Sequence, residues 1–278
     1  MTLKVSLSTF FFTIYTPSVF GQFKALFYIS VAKIFKNNLL YIKNLSLIET
    51  ISLQKMELKL NIKLNEKLFL RDPDSTELGR RIIQQSIVMI HDLGIEAFTF
   101  KKLAEAIKTT EASIYRYFEN KYRLLQYIVT WYWTFMEYLV LFHVNNVESA
   151  EAKILKVIEL LVGAPDHALG AADFDTDALY DIVISESTKV YLNKGVDDDN
   201  SVQLFKPYKD LCARIAVLIS DYNPDYKHPR SLSSTLVETA HFQHFFMQHL
   251  PRLTDFEGNQ DRQLIKDFLT HLVFSAIK

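Results

Sequence analysis

The segment TTEASIYRYFENK, residues 109–121, concentrates hydroxyl, phenol and cationic side chains on a short stretch of the chain. Ser113, Arg116 and Lys121 can donate hydrogen bonds to phosphates or base edges, and the small Ala112 lets a helix approach a partner closely. These residue types at this density predict recognition of nucleic acid.

Two short helical patterns must position these side chains. One covers residues 99–107 and the other residues 110–118; each begins at a threonine, Thr99 or Thr110, that suits the N-cap position. Both patterns have apolar residues four apart, as on one face of a helix. Two helices with a turn of about four residues form a helix-turn-helix, whose second helix can lie in the major groove.

The second helix divides into an inner and an outer face. Ile114 and Phe118 point inward on a helical wheel, and the residues opposite them face outward. An N-terminal helix end with free N–H groups at Thr99 also attracts phosphate. The predicted DNA-binding residues are Thr99, Lys101, Thr110, Glu111, Ala112, Ser113, Tyr115, Arg116, Tyr117 and Lys121.

A set of residues within 77–125 resembles the N-terminal DNA-binding domain of the TetR family of transcriptional regulators. In the family's order and spacing they are Gly94, Thr99, Leu103, Ala104, Thr110, Ile114, Tyr115, Tyr117, Phe118, Lys121 and Leu124. IYRYFENK stands where that family has its Leu-Tyr-aromatic-Phe-x-x-Lys signature. One residue departs from the pattern: Lys108 occupies the turn position where the family usually has a left-handed glycine.

The composition agrees with an all-α protein that has a sizeable core. The chain has 278 residues, enough for about two domains, and 49% of them are apolar. Glycine and proline number only seven each, which favours long helices. Cys212 is the only cysteine, so no internal disulfide can form and a reducing, cytoplasmic location is expected.

Charge divides the chain into segments. We predict an extension at 1–55, an arm at 56–74, the DNA-binding domain at 75–125 and a helical domain at 126–278, which the resemblance implies is the effector-binding and dimerisation domain. The DNA-binding segment has eight basic and six acidic side chains, whereas the last segment has thirteen and twenty-one. Basic groups therefore precede an acidic C-terminal part.

The first 55 residues lack helical periodicity and contain no arginine or aspartate. We interpret them as translated upstream sequence ahead of a start at Met56, and so as non-native or disordered. A secretory signal and a loosely packed genuine extension are the alternatives. In the arm, apolar residues alternate from Leu58 to Leu64, which predicts an extended segment. We expect it to lie along the DNA-binding domain or along the DNA backbone.

Helical patterns continue through the C-terminal part, where they predict helices near 149–163, 175–192, 201–222, 230–250 and 260–277. The last two have apolar faces wider than one helical layer can cover. We therefore predict a homodimer in which helices 230–250 and 260–277 meet their two-fold mates as a four-helix interface.

The resemblance implies that the long helix after Lys121 walls an effector pocket, with Trp131, Phe135 and Tyr138 as candidate ligand contacts. Glu186 is the fourth candidate, because it lies on an otherwise apolar stripe, where a carboxylate is costly unless paired. It can hold a cationic ligand or pair internally with an arginine or histidine. Core packing is the alternative for the aromatic stripe.

No catalytic constellation emerges from the sequence, and no metal or cofactor is expected. Glu238, His241, His244 and His249 have spacings that could serve a metal, but solvated or interfacial histidines are the simpler interpretation. The sequence thus predicts a ligand-responsive regulator, a repressor of a palindromic operator, with no membrane association. The alternatives are a helical interaction protein, or an enzyme with a degenerate DNA-binding head.

Overall fold

The computed structural model describes residues 62–163, 175–256 and 261–278. Contacts divide the chain into two units, Met1–Glu57 and Leu58–Lys278, and every described residue belongs to the second. The predicted extension at 1–55 lies outside the described residues, as does the start of the arm.

Every regular element in the described ranges is helical, so the predicted all-α class is confirmed. The α-helices are α1 Glu77–Ala97, α2 Phe100–Ala106, α3 Glu111–Tyr115, α4 Lys121–Val144, α5 Ala150–Val162, α6 Thr176–Glu186, α7 Thr188–Tyr191, α8 Val196–Ser201, α9 Lys206–Tyr222, α10 Pro229–His249 and α11 Arg262–Ile277. Helices α1 to α3 form the N-terminal head. None of the described helices is both long and apolar enough to cross a membrane.

Two glycines shape α1. Gly79 lies so close to the preceding 3-10 turn that a Cβ there would stand 2.2 Å from the Pro73 carbonyl oxygen. Gly94 has φ 73°, a left-handed conformation that kinks the helix three residues before it ends. Gly94 is therefore a kink within α1, after which the chain continues helically to Ala97.

The turn between α2 and α3 contains the predicted departure from the family pattern. Lys108 has φ 54°, so a lysine occupies the left-handed position that favours glycine. Arg81 of α1 holds this turn, because its Nη2 donates to the Ile107 carbonyl at 2.6 Å. The backbone N–H of Thr109 also donates to the Ala104 carbonyl, at 2.9 Å.

Replacing Lys108 with glycine should raise the free energy of unfolding by about 1 kcal/mol, since it relieves the left-handed strain of a residue with a Cβ. Urea denaturation followed by circular dichroism measures the change. Lys108→Ala is the matched control: it removes the charge but keeps the Cβ, and should give no gain. Equal stabilisation by both variants would mean that charge, not backbone strain, is relieved.

Helix α4 runs through the centre of the molecule. All its residues from Leu124 to Met136 are buried, on every side of the helix. A helix that is apolar all round is expected in a core. It packs against α1, α5, α6, α7 and α9, so one rigid helix connects the head to the body.

The C-terminal body differs from the sequence prediction in two places. The predicted helix 175–192 is interrupted after Glu186, which leaves the single turn α7. The aspartate run after Gly195 lies between the predicted helices 175–192 and 201–222, yet it forms α8, with Asp197, Asp198 and Asp199 in its first turn. Acidic side chains there favour the positive end of the helix dipole, which explains the helix.

The described end of the arm packs on the body rather than on the reading head. Ile62 is buried, and the Asn65 side chain donates to the Val202 carbonyl at 2.8 Å. A 3-10 turn, Glu66–Leu68, then packs on α4 with Leu68 buried. The prediction of an arm along the head is thus wrong for residues 62–68, because their apolar side chains are buried against helices.

Candidate functional site

Helix α3 is anchored by its inner face. Ile114 and Phe118 have no exposed surface, as the wheel predicted. The helix is shorter than expected, ending at Tyr115, but Arg116 keeps right-handed helical angles and the N–H groups of Tyr117 and Phe118 both donate to the Ile114 carbonyl. The outer face is therefore presented on a rigid short helix.

The outer face of α3 carries most of the predicted DNA contacts. Glu111, Ala112 and Arg116 are exposed, and Ser113 is half-buried. Tyr115 is also exposed, with its ring edge-on to Phe100 at 5.0 Å between centroids, so it stands beside the face as predicted.

Three further predicted contacts lie at the starts of the two helices. The Thr99 and Thr110 hydroxyls each accept a backbone N–H at 3.2 Å, from Lys102 and Ser113, and so cap α2 and α3. Lys101 is exposed in the first turn of α2. Neither Lys101 nor Arg116 makes an ion pair or a side-chain hydrogen bond with the described parts of the chain, so both cations can meet an external anion.

Tyr117 corrects the prediction, because it is buried rather than exposed beside the reading face. Its hydroxyl lies 2.7 Å from the Thr76 hydroxyl, which caps α1, and its carbonyl accepts the Leu70 N–H at 2.8 Å. Tyr117 therefore joins α3 to the segment that enters α1.

Lys121 also has a different role from the predicted phosphate contact. Its ammonium donates to the carbonyl oxygens of Ile95, Glu96 and Phe98 at 2.8, 2.9 and 3.3 Å. These carbonyls end α1, where a cation is favoured by the helix dipole. All three ammonium protons are used inside the head, so Lys121 holds α4 to the kinked end of α1.

Glu186 pairs internally, with a lysine rather than with the arginine or histidine considered from sequence. Its Oε1 accepts the Ile95 N–H at 3.1 Å, and its Oε2 lies 2.7 Å from the Lys189 ammonium. Lys189 also reaches Glu96 at 3.4 Å. Burial lowers the pKa of Lys189, but the hydrogen bonds and charges of the two carboxylates outweigh it and raise that pKa. Glu186 thus joins head to body through an internal pair.

The aromatic stripe predicted to wall a ligand pocket is core or surface instead. Trp131 and Phe135 stack at 5.2 Å with both side chains buried, and Tyr138 is 41% exposed. A partly enclosed apolar cavity of about 120 Å³ lies on the opposite face of α4, against Thr130 and Trp133. Since large apolar and aromatic residues occur on both faces of α4 there, its sequence favours neither face.

The histidines of α10 do not converge with Glu238. His241 and His244 are buried next to the Tyr180 ring, whereas Glu238 accepts hydrogen bonds from Tyr191 and Tyr208. Burial lowers the pKa of His241 to about 3 and that of His244 to about 4, so both rings are neutral. Among the described residues, no group of three or more potential ligands is arranged to hold a metal.

The head agrees in sequence as well as in geometry with a known domain. Residues 82–128 match the family model for bacterial regulatory proteins of the tetR family. This head is a tetR-family DNA-binding domain. The match runs from the buried part of α1 through α2 and α3 into the first turns of α4. The rest of the chain lies outside this match.

Solved structures resemble the tetR-family head and the body together. AibR in complex with isovaleryl coenzyme A and operator DNA aligns with a TM-score of 0.50 and 14% identity, over 71% of this chain and 99% of that one. The fatty acid degradation regulator FadR from Bacillus halodurans aligns with a TM-score of 0.51 and 16% identity, over 69% and 92%. At these identities the likeness concerns the fold. No curated protein matches the chain in sequence.

Proposed function

We propose that this chain is a ligand-responsive transcriptional regulator, a cytoplasmic repressor that binds a palindromic operator as a homodimer. The observation that carries the proposal is the outer face of α3. It presents Ala112, Ser113 and Arg116 to solvent on a helix whose inner face is fully anchored. A short helix of this kind can enter the major groove and read base edges.

The body supplies a path from a ligand to the head. Tyr191 of α7 lines the apolar cavity, and Lys189, two residues earlier, pairs with Glu186 and with Glu96 of the head. A ligand that shifts this single helical turn would also shift the end of α1. Such coupling requires that the ligand bind the two positions of α7 with different affinity.

The similar solved structures, AibR and FadR, provide a precedent for this arrangement. AibR was solved with both an acyl coenzyme A and operator DNA, and FadR is described as a regulator. We extend to this chain only the arrangement of a DNA-binding head and a ligand-binding body, not those ligands.

The homodimer rests on the outer sides of α10 and α11. Phe242 is 44% exposed, and its ring stacks on that of Phe246 one turn later, 5.9 Å between centroids. Large apolar side chains exposed together on a helix typically mark an interface. This stacked pair supports α10 as one of the two interface helices predicted from sequence.

An enzyme is the weaker candidate. Cys212, the only thiol of the chain, is partly buried, and burial raises its pKa, which disfavours the thiolate nucleophile. A helical interaction protein with a degenerate head is disfavoured by the exposed Arg116 and Lys101.

Selection of bound sequences from random double-stranded DNA tests the proposal. We expect an inverted repeat whose half-sites are about one or two helical turns apart, since each reading head meets one major groove. Recovery of no enriched sequence by the folded full chain would contradict operator binding. Enrichment of a single, unrepeated site would contradict the dimer alone.

Arg116→Ala should relax the base preference at one position of each half-site and weaken operator binding by about 1–3 kcal/mol, because a bidentate contact to a base edge is lost. The matched variant is Lys101→Ala, which should weaken binding to all sequences alike and reduce the salt slope by about 1. Titrations of operator and scrambled DNA at several salt concentrations separate the two. Equal losses on both DNAs for Arg116→Ala would assign it to phosphate.

A further inference from the structure

The apolar cavity beside α4 has aromatic walls. Trp133, Tyr191, Phe205 and Tyr208 line it together with aliphatic side chains. The Trp133 and Tyr208 rings lie 4.7 Å apart between centroids at 52°, and the Tyr191 and Tyr208 rings lie nearly parallel at 6.1 Å. Four aromatic side chains therefore surround one small space, and the faces of aromatic rings carry a negative quadrupole that attracts cations.

A carboxylate stands directly behind this wall. Glu238 of α10 accepts the Tyr208 hydroxyl at 2.6 Å and the Tyr191 hydroxyl at 3.0 Å, both on Oε1. Tyr191 also lies 3.1 Å from Oε2. Glu238 is only partly exposed, and no lysine, arginine or histidine of the described ranges lies within 4.0 Å of it. Its negative charge therefore has hydrogen-bond donors but no cation.

The surrounding titratable groups do not cancel that charge. Burial, and then the charge of Glu238, raises the pKa of both the Tyr191 and the Tyr208 phenols, so they remain neutral donors. His241 lies 5.3 Å from the Trp133 ring, and its lowered pKa keeps it neutral. The cavity is therefore lined by aromatic rings and has beside it a carboxylate whose negative charge these groups do not neutralise.

We propose that this cavity binds a small organic cation of the quaternary or alkylated ammonium class, the effector of the regulator proposed above. Ring faces attract such a cation, and the apolar lining suits its alkyl groups better than it suits a hydrated metal ion. Glu238 supplies the opposite charge through the two phenols. The cavity volume of about 120 Å³ fits a small head group and falls below the roughly 300–1,000 Å³ of pockets for drug-sized ligands.

The same features disfavour acids. A carboxylate or an acyl thioester with phosphate groups would meet both the ring faces and Glu238 with the wrong charge. The effector class inferred for this cavity therefore differs from the isovaleryl coenzyme A seen with AibR.

Calorimetric titration of the full chain, without DNA, tests the site directly. Choline is the probe, and 3,3-dimethylbutan-1-ol, which has the same shape without the charge, is the control ligand. We expect choline to bind at least about tenfold more tightly, because only the cation gains the ring and carboxylate attraction. Equal affinity for both ligands, or no heat from either, would overturn the proposal.

Two variants assign the binding to named groups. Glu238→Gln keeps the shape and should weaken choline binding about tenfold while leaving the neutral alcohol unchanged. Trp133 fluorescence gives a second readout, since that ring lines the cavity. Glu151→Gln, which removes an exposed carboxylate of α5, is the matched control and should bind choline like the parent. Equal losses in the two variants would reduce the effect to overall charge and overturn the site.

The effector role of the cation rests on the proposed function, and it can be tested separately from binding at the cavity. Operator affinity of the parent chain is measured with and without saturating choline. A change of about tenfold, absent in Glu238→Gln, supports the effector role. Choline binding that leaves operator affinity unchanged supports the site but overturns that role, and operator binding with no choline binding overturns the site alone.

Discussion

Lys121→Met should lower the free energy of unfolding by about 2 kcal/mol and abolish operator binding, because three carbonyl oxygens at the end of α1 lose a charged donor. Methionine keeps the length and apolar stem of lysine, so the loss isolates the ammonium. Urea denaturation measures the stability, and electrophoretic titration of operator DNA measures binding.

The salt dependence distinguishes this role from a phosphate contact. Any residual binding by Lys121→Met should retain the salt slope of the parent. In this role Lys121 neutralises no phosphate, so its loss does not change the number of counterions that binding releases from the DNA. Lys101→Met is the matched control, an exposed lysine of α2 that should leave stability nearly unchanged and reduce the slope by about 1. Normal stability with a reduced slope for Lys121→Met would restore the phosphate role.

Local periodicity carried much of the fold prediction. The inner face of α3 was read correctly because Ile114 and Phe118 are four residues apart, and helix starts were read from capping threonines such as Thr110. These signals are local, so one sequence suffices. The aspartate run that forms α8 was not predicted as a helix, because aspartate is unfavourable inside helices; its side chains instead occupy the first turn, where the helix dipole favours them.

Side-chain roles were harder to predict because their partners lie far along the chain. Lys121 stands at the position that the family pattern predicts. The carbonyls that accept its hydrogen bonds, however, belong to residues 23–26 positions earlier and converge only after the kink at Gly94. Glu186 meets the Ile95 N–H across 91 residues. On α4 the obstacle was different: large apolar side chains occur on every side of the helix, so its pattern does not indicate which side faces a cavity.

The Glu186 contact links the cavity side of the body to the head. Helix α7 has Lys189 on the head contact and Tyr191 on the cavity wall, both on a single turn. Helix α4 starts at Lys121 and reaches Trp133 after twelve residues, a rise of about 18 Å. Both connections are short, so under the proposed function a displacement at the cavity would shift the end of α1.

Phe242→Asp should convert the proposed dimer to a monomer, weakening self-association about 100-fold or more. Because the dimer has a two-fold axis, residue 242 of both protomers lies in the same interface. The substitution therefore removes an apolar anchor from each protomer and buries two carboxylates close together. Operator affinity should fall in parallel, since one reading head then binds without its partner and the gain from simultaneous contact is lost.

Light scattering coupled to gel filtration measures the assembly, and circular dichroism checks that the variant is folded. Val217→Asp is the matched control, since Val217 is an exposed apolar residue of α9, outside the two interface helices, and should leave the dimer intact. A folded Phe242→Asp dimer with parental operator affinity would place the interface elsewhere. The same substitution should leave choline binding unchanged, because Phe242 does not line the cavity beside α4.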